Sequence, residues 1–295
     1  MEEGFKRILV LIDFSRASFQ AAEEAAMIAT KFNSELHLLH VSSNSRLPWL
    51  LAPEAYFFHL AENNREEYQN GKAILDKIKI ELEKRFELAI ECHETEGKLC
   101  ETVNKYVDTL RIDLVVLGAK KESWFKEFLF ESKAKDIIRS VNSEVLCVYP
   151  ESNSKKLKKI VLPIGKYIPK RKIKLAYELA KKFTANVHMI SLTKNGRTLS
   201  HEDTKILMAS YQYLKDITNI PIACKTVPGN NLAQATIQYA EDIGADLILV
   251  NAGSESLFKG PVFPRWGGNI VNHSSIPVLS VHAINHKKMS RQYRA

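Results

Sequence analysis

This chain of 295 residues predicts an α/β protein made of two tandem domains, each a doubly wound parallel sheet. Three observations carry that expectation. A basic pair runs into an apolar strand twice, as Lys6-Arg7-Ile8-Leu9-Val10 and as Lys158-Lys159-Ile160-Val161-Leu162. The second strands match, Phe32-Asn33-Ser34-Glu35-Leu36-His37-Leu38-Leu39 against Phe183-Thr184-Ala185-Asn186-Val187-His188-Met189-Ile190. Toward each end, Asp113-Leu114-Val115-Val116-Leu117 answers Asp246-Leu247-Ile248-Leu249-Val250, and Val145-Leu146-Cys147-Val148 answers Val278-Leu279-Ser280-Val281, at one constant interval of 133 residues. Two copies of one unit account for the length, with domains at 1–151 and 156–285 and a basic tail at 286–295.

The elements follow in order. Arg7–Asp13 is apolar without two-residue alternation, as a strand covered on both faces requires. Ser15 can cap the next helix, whose apolar stripe Phe19, Ala22, Ala25, Ala26 and Ala29 has helical spacing. The second strand runs over Glu35–Ser42. A segment with Pro48 and Pro53 leads to a charged helix over about Leu60–Phe86, then a strand at about Leu88–Glu94. Gly97 breaks the chain before a helix at Leu99–Leu110; a strand follows at Asp113–Gly118, a helix ending near Val141, and a last strand at Val145–Tyr149. The second copy places its strands at about Lys159–Ile164, Asn186–Thr193, Ile222–Val227, Asp246–Val250 and Val278–Val281. Strand and helix alternating five times, with right-handed crossovers, give helices on both faces. The stretch around Arg46–Phe58, with Trp49, Tyr56, Phe57 and Phe58, has no counterpart of similar length in the second copy and reads as a lid or packing arm.

Composition narrows the function classes. At 45% hydrophobic and 26% charged the chain is globular. It has no run of 18 apolar residues and opens acidic, so a cytoplasmic protein without membrane insertion is expected. Cys92, Cys100, Cys147 and Cys224 lack metal or redox spacing and read as buried free thiols. The net charge of +8 sits largely in the linker around Lys155–Lys159 and in the tail. No zinc-finger, helix-turn-helix or aromatic RNA-binding pattern accompanies it, so nucleic acid is not the expected partner. His37 and His188 occupy equivalent positions and read as inherited packing, while His40 can offer a polar contact next to Val41. No histidine has a second ligand at helical spacing, so no metal is expected. Neither a Gly-x-Ser-x-Gly elbow nor a P-loop is present.

In a doubly wound sheet, ligands bind beyond the carboxyl ends of the strands where the order reverses. That points to Asp13, to Val41, and to Gly118 with the loop after it. Asp13 can accept from an adenine amino group or a ribose, and small residues after Gly118 would let backbone N–H groups approach phosphate.

The runs Ile8-Leu9-Val10-Leu11-Ile12-Asp13-Phe14-Ser15, Glu35-Leu36-His37-Leu38-Leu39-His40-Val41 and Asp113-Leu114-Val115-Val116-Leu117-Gly118 resemble the universal stress protein family. The second half adds Pro228-Gly229-Asn230-Asn231 and Gly244-Ala245-Asp246-Leu247-Ile248-Leu249-Val250, which are similar to the same family. The resemblance implies strand order 3-2-1-4-5 and, for tandem members, an intramolecular pseudo-dimer with Val145–Tyr149 beside Val278–His282. It implies that members binding ATP carry G-x-x-G, nine residues, then G-S or G-T after strand four. In this sequence that pattern falls on Gly118, Lys121, Glu131 and Ser132, so the first glycine and the hydroxyl match while a carboxylate stands where an N–H would face phosphate. Asp13 and Val41 match the family's adenine and ribose contacts. In the second copy the pattern falls on Asn251, Ser254, Pro264 and Arg265, and Gly165 replaces Asp13, so no triphosphate is expected there.

The loops after strand four are apolar: Trp124, Phe125, Phe128, Leu129 and Phe130, then Leu257, Phe258, Val262, Phe263 and Trp266. They suggest that packing, between halves or against a partner, replaced phosphate recognition. The resulting reading is a stress-response binding or interaction protein with degenerate nucleotide sites, without catalytic residues and with no certain cofactor. The alternative is a sensor holding ATP, ADP or AMP in the first domain through Asp13, Val41, Gly118 and Ser132. Its protein partner or small ligand, and a homodimer of tandem chains, stay open.

Overall fold

The computed structural model describes residues 4–42, 71–119, 133–150, 156–193, 198–252, 270–271 and 274–282. The chain divides into two compact units, Met1–Lys156 with Asn272–Val278 and Leu157–Val271 with Leu279–Ala295. The aromatic segment 46–58, the apolar loops after the fourth strand of each copy and the basic tail lie outside the described residues.

The first unit holds strands β1 (Arg7–Leu11), β2 (Glu35–Ser42), β3 (Ile90–Glu96), β4 (Leu114–Gly118) and β5 (Glu144–Val148), in sheet order β3-β2-β1-β4-β5. Every pairing among them is parallel. Helices α1 (Arg16–Phe32) and α2 (Gly71–Phe86) carry the chain outward from β1 to β3, whereas α3 (Leu99–Leu110) and α4 (Lys133–Ser140) carry it back across to β5. Right-handed crossovers in opposite directions put the two pairs on opposite faces, and α1 packs on α2 as α3 packs on α4. The middle of the sheet is therefore dry. Ile8, Leu9, Val10, Leu38, Val115 and Val116 are completely buried, each adding about 1.5–3 kcal/mol of hydrophobic stabilisation. Helix α1 lies close because its inner face is made of small residues, Ala21, Ala22, Ala25, Ala26 and Ala29, all buried. The sequence placed β3 two residues early; it runs to Glu96, which pairs with Ser42.

The second unit repeats the plan with β6 (Lys159–Pro163), β7 (Asn186–Thr193), β8 (Ile222–Pro228), β9 (Leu247–Asn251) and β10 (Val278–Val281), in order β10-β9-β6-β7-β8. Among its described residues are helices α5 (Lys170–Phe183), α6 (His201–Ile217) and α7 (Leu232–Asp242). Both units thus have the 3-2-1-4-5 order. They differ at the carboxyl end of the central strand. In the first unit β1 matches β4 over four residues, Ile8 to Leu11; in the second, β6 matches β9 only at Ile160 and Val161. The N–H of Ile12 bonds Leu39 on β2, so alternation along the strand turns the N–H of Leu11 toward β4. Pro163 stands at the position of Leu11 and has no N–H.

One carboxylate fixes the register in each copy. Asp113 Oδ2 accepts from the backbone N–H of Lys6 at 2.8 Å and of Arg7 at 3.1 Å, and Asp246 Oδ2 accepts from Lys158 and Lys159, both at 2.8 Å. The backbone N–H of Asp113 returns a bond to Arg7, and that of Asp246 to Lys159. Replacing Asp113 by Ala removes two charge-assisted bonds and is expected to lower stability by about 1–3 kcal/mol, read as a shifted urea midpoint; Asp113→Asn, which keeps one acceptor oxygen, should lose less.

Candidate functional site

Three of the four residues named from the sequence converge at the carboxyl ends of β2, β1 and β4. The order of the sheet reverses between β1 and β4, which is where such sheets bind ligands. After β1 the chain turns through Ile12, Asp13 and Phe14 into the Ser15 cap of α1. Asp13 is exposed. Its Oδ1 accepts from the Ser15 N–H at 3.1 Å and from the Ser15 hydroxyl at 2.6 Å, while the Ser15 oxygen accepts from the N–H of Ser18. Oδ2 of Asp13 has no partner among the described residues. Phe14 holds φ at 61°, a left-handed conformation that costs a non-glycine residue about 1–2 kcal/mol. The Asp13–Ser15 bonds and a ring contact hold it there: the Phe14 ring lies 4.4 Å, centroid to centroid, from buried His40.

His40 Nδ1 lies 2.8 Å from the carbonyl of Ile12. A carbonyl only accepts, so His40 carries its proton on Nδ1. The ring braces the turn that presents Asp13. Val41 follows, half-buried, opposite Thr95 of β3.

Gly118 ends β4. A Cβ there would sit 2.5 Å from the carbonyl carbon of Ala17 and 2.6 Å from the nitrogen of Ser18. The glycine therefore lets the first turn of α1 seat against the strand, a packing reason that stands apart from any ligand. Ser132, Lys121 and Glu131 lie outside the described residues, as do Ser254, Pro264 and Arg265.

The second copy fills the same end with its own groups. Gly165 replaces Asp13, and Asn251, in the position of Gly118, donates from Nδ2 to the hydroxyl of Tyr167 at 2.6 Å. Lys172, almost completely buried, donates to the carbonyl of Pro163 at 2.7 Å. Its counterpart in α1 is the small, buried Ala21.

The sequence reading missed a second constellation. His37, Glu91 and His93 bring three ligand atoms together on β2 and β3. No helical spacing relates these three ligands; strand geometry joins them. Glu91 and His93 are two residues apart and so share a face, and Glu91 is the register partner of His37. Burial and the neighbouring His37 hold His93 below the ordinary histidine range, against a smaller upward pull from Glu91. His188, the counterpart of His37, instead lies 3.0 Å from the hydroxyl of Tyr239. The two equivalent histidines thus have different partners.

All four cysteines are free, but only Cys147 is buried; Cys92, Cys100 and Cys224 are partly exposed, against the expectation of four buried thiols. Burial pushes Cys147 up to about 12. Burial, then the charge of Asp76, pushes Cys92 up to about 11.

Residues 4–149 match the model of the universal stress protein family. These residues form a universal stress protein domain. A universal stress protein of Methanocaldococcus jannaschii is 26% identical over 147 residues, covering 50% of this chain and 84% of that protein. The likeness of fold spans both halves. A universal stress protein of Archaeoglobus fulgidus aligns over 94% of this chain and 98% of its own, with TM-score 0.69 at 15% identity. A functionally unknown protein of Pseudomonas aeruginosa aligns over 94% and 92%, with TM-score 0.60 at 14% identity. Among the described residues, no helix is long and apolar enough to cross a membrane.

Two outcomes follow for this universal stress protein fold. Gly118→Ala should destabilise it by about 1–3 kcal/mol in thermal unfolding without any ligand present, because backbone atoms of Ala17 and Ser18 must move. At pH 8 the raised values leave Cys147 and Cys92 protonated, so a thiol reagent should label both far more slowly in the native chain than in urea.

Proposed function

We propose that this universal stress protein acts in the stress response as a non-catalytic binding protein whose nucleotide sites have diverged. The first copy keeps the nucleoside end of the site, and the second copy keeps none of it. The asymmetry between the copies carries this reading: exposed Asp13 on a braced turn in one, Gly165 beside an Asn251–Tyr167 bond in the other. Oδ2 of Asp13 is placed to accept from an adenine amino group or a ribose hydroxyl, and Val41 supplies an apolar wall. Gly118 and Ser132 take the phosphate side by resemblance to the family's pattern. Glu131 falls where that pattern has a glycine, and a carboxylate in that role would oppose each added phosphate. The preferred ligand is then adenosine or AMP, ahead of ADP and ATP.

Catalysis has little support. The Cys92 and Cys147 thiols stay protonated near neutral pH, so neither is an activated nucleophile.

Calorimetric titration of the whole chain with adenosine, AMP, ADP and ATP, with and without magnesium, tests the reading. We expect one site per chain, weakening as phosphates are added, abolished by Asp13→Ala and unchanged by Asn251→Ala. Binding that strengthens toward ATP, or turnover of any of the four, would overturn it; silence with all four would leave a scaffold for a protein partner.

A further inference from the structure

We propose that His37, Glu91 and His93 form a metal site that takes Zn²⁺, or a similar borderline divalent transition ion, and ties the outer strand β3 to β2. His37 Nδ1 lies 3.2 Å from His93 Nε2 and 3.3 Å from Glu91 Oε2, and His93 Nε2 lies 3.9 Å from the same oxygen. Zinc bonds of about 2.0–2.1 Å in tetrahedral geometry space neighbouring ligand atoms about 3.3–3.4 Å apart. Two of the three separations already fit. The third involves the Glu91 side chain, 71% exposed, which a small rotation can bring in.

Two ring nitrogens and one carboxylate oxygen converge within ligand distance of a single point. One proton shared between the facing ring nitrogens satisfies that pair, while the third group, the Glu91 carboxylate, is open to water. His37 is also buried, and its Nε2 has no hydrogen-bond partner among the described residues. Bound to an ion through Nδ1, the neutral ring would carry its proton on Nε2, the position from which metal-bound histidines ordinarily donate to a neighbour. An ion at Nδ1 would be held by two neutral imidazoles and one carboxylate. This set suits zinc, and its exposed side leaves a fourth position for water.

The second copy serves as an internal comparison. Register places Ala223 where Glu91 stands and Lys225 where His93 stands. With those ligands gone, His188 turns to Tyr239. In the first copy the equivalent Tyr106 meets the ring of His93 edge-on at 5.2 Å. The ligand set is therefore particular to the first copy. It lies four residues along β2 from Val41, about 13 Å, and so is separate from the nucleoside end.

The test uses the whole chain, stripped by chelator and titrated with Co²⁺ as a spectroscopic probe, followed by displacement with Zn²⁺. We expect one ion per chain with the visible bands of tetrahedral Co²⁺. Affinity should fall on the order of ten-fold or more in Glu91→Gln, binding should be lost in His93→Gln, and His188→Gln should leave it unchanged. Both ligand substitutions are at partly exposed side chains, and circular dichroism with thermal unfolding in chelator confirms that the variants fold. Absence of binding in the folded wild type, or binding indifferent to both Glu91→Gln and His93→Gln, would overturn the proposal.

Discussion

A parallel sheet has no hairpin to set its register, so something at the strand ends must. In both copies that role falls to the aspartate that precedes the fourth strand, which gathers two N–H groups at the entry to the first strand and returns a backbone bond of its own. Parallel side chains alternate with a period of two, and a slip of one residue would turn Leu9 and Val115 to the wrong face. The carboxyl ends of β1 and β4 meet where they do because their amino ends are pinned by Asp113. The position of Asp13 relative to Gly118 thus depends on a bond made at the far end of the same two strands.

The amino ends have stayed alike in the two copies while the carboxyl ends have parted. Lys6, Arg7 and Asp113 answer Lys158, Lys159 and Asp246 bond for bond. At the other end, Leu11 has become Pro163, Ala21 has become Lys172, and Gly118 has become Asn251. These changes support one another. Without an N–H at Pro163 the ladder to β9 stops early, and the Pro163 carbonyl is received by the Lys172 ammonium. The second unit has gained its own polar interior where the first leaves a carboxylate exposed to solvent.

Much of this was legible in the sequence. Apolar runs, the repeated basic pair and the constant interval between Asp113 and Asp246 specify parallel strands and their number, and β2, α3, β7 and β10 were read to the residue. Strand ends were less legible: β1 stops at Leu11 because Ile12 and Asp13 belong to the turn, a distinction that depends on Phe14 adopting a left-handed backbone. Gly118 was read as a ligand residue, and its contact with Ala17 and Ser18 was hidden because helix-to-strand distance has no local signature. The grouping of His37 with Glu91 and His93 was hidden for a related reason. It requires knowing that residue 37 lies opposite residue 91, and no pattern within either strand states that.

The outer strand of each unit also bears on how the protein can associate. Strands β3 and β8 each stand at one end of their own unit's strand order among the described strands, and a strand edge of that kind offers unpaired backbone groups to any extended chain. On β3 the side chains of Glu91, Glu94 and Glu96 are exposed, and on β8 Lys225 is exposed beside a strand that closes on Pro228. An incoming strand would have to settle among these charges, and along Pro228 it would find no N–H to pair with. Both edges are thereby discouraged from continuing the sheet, so chains at high concentration should remain separate instead of stacking into fibres through these strands.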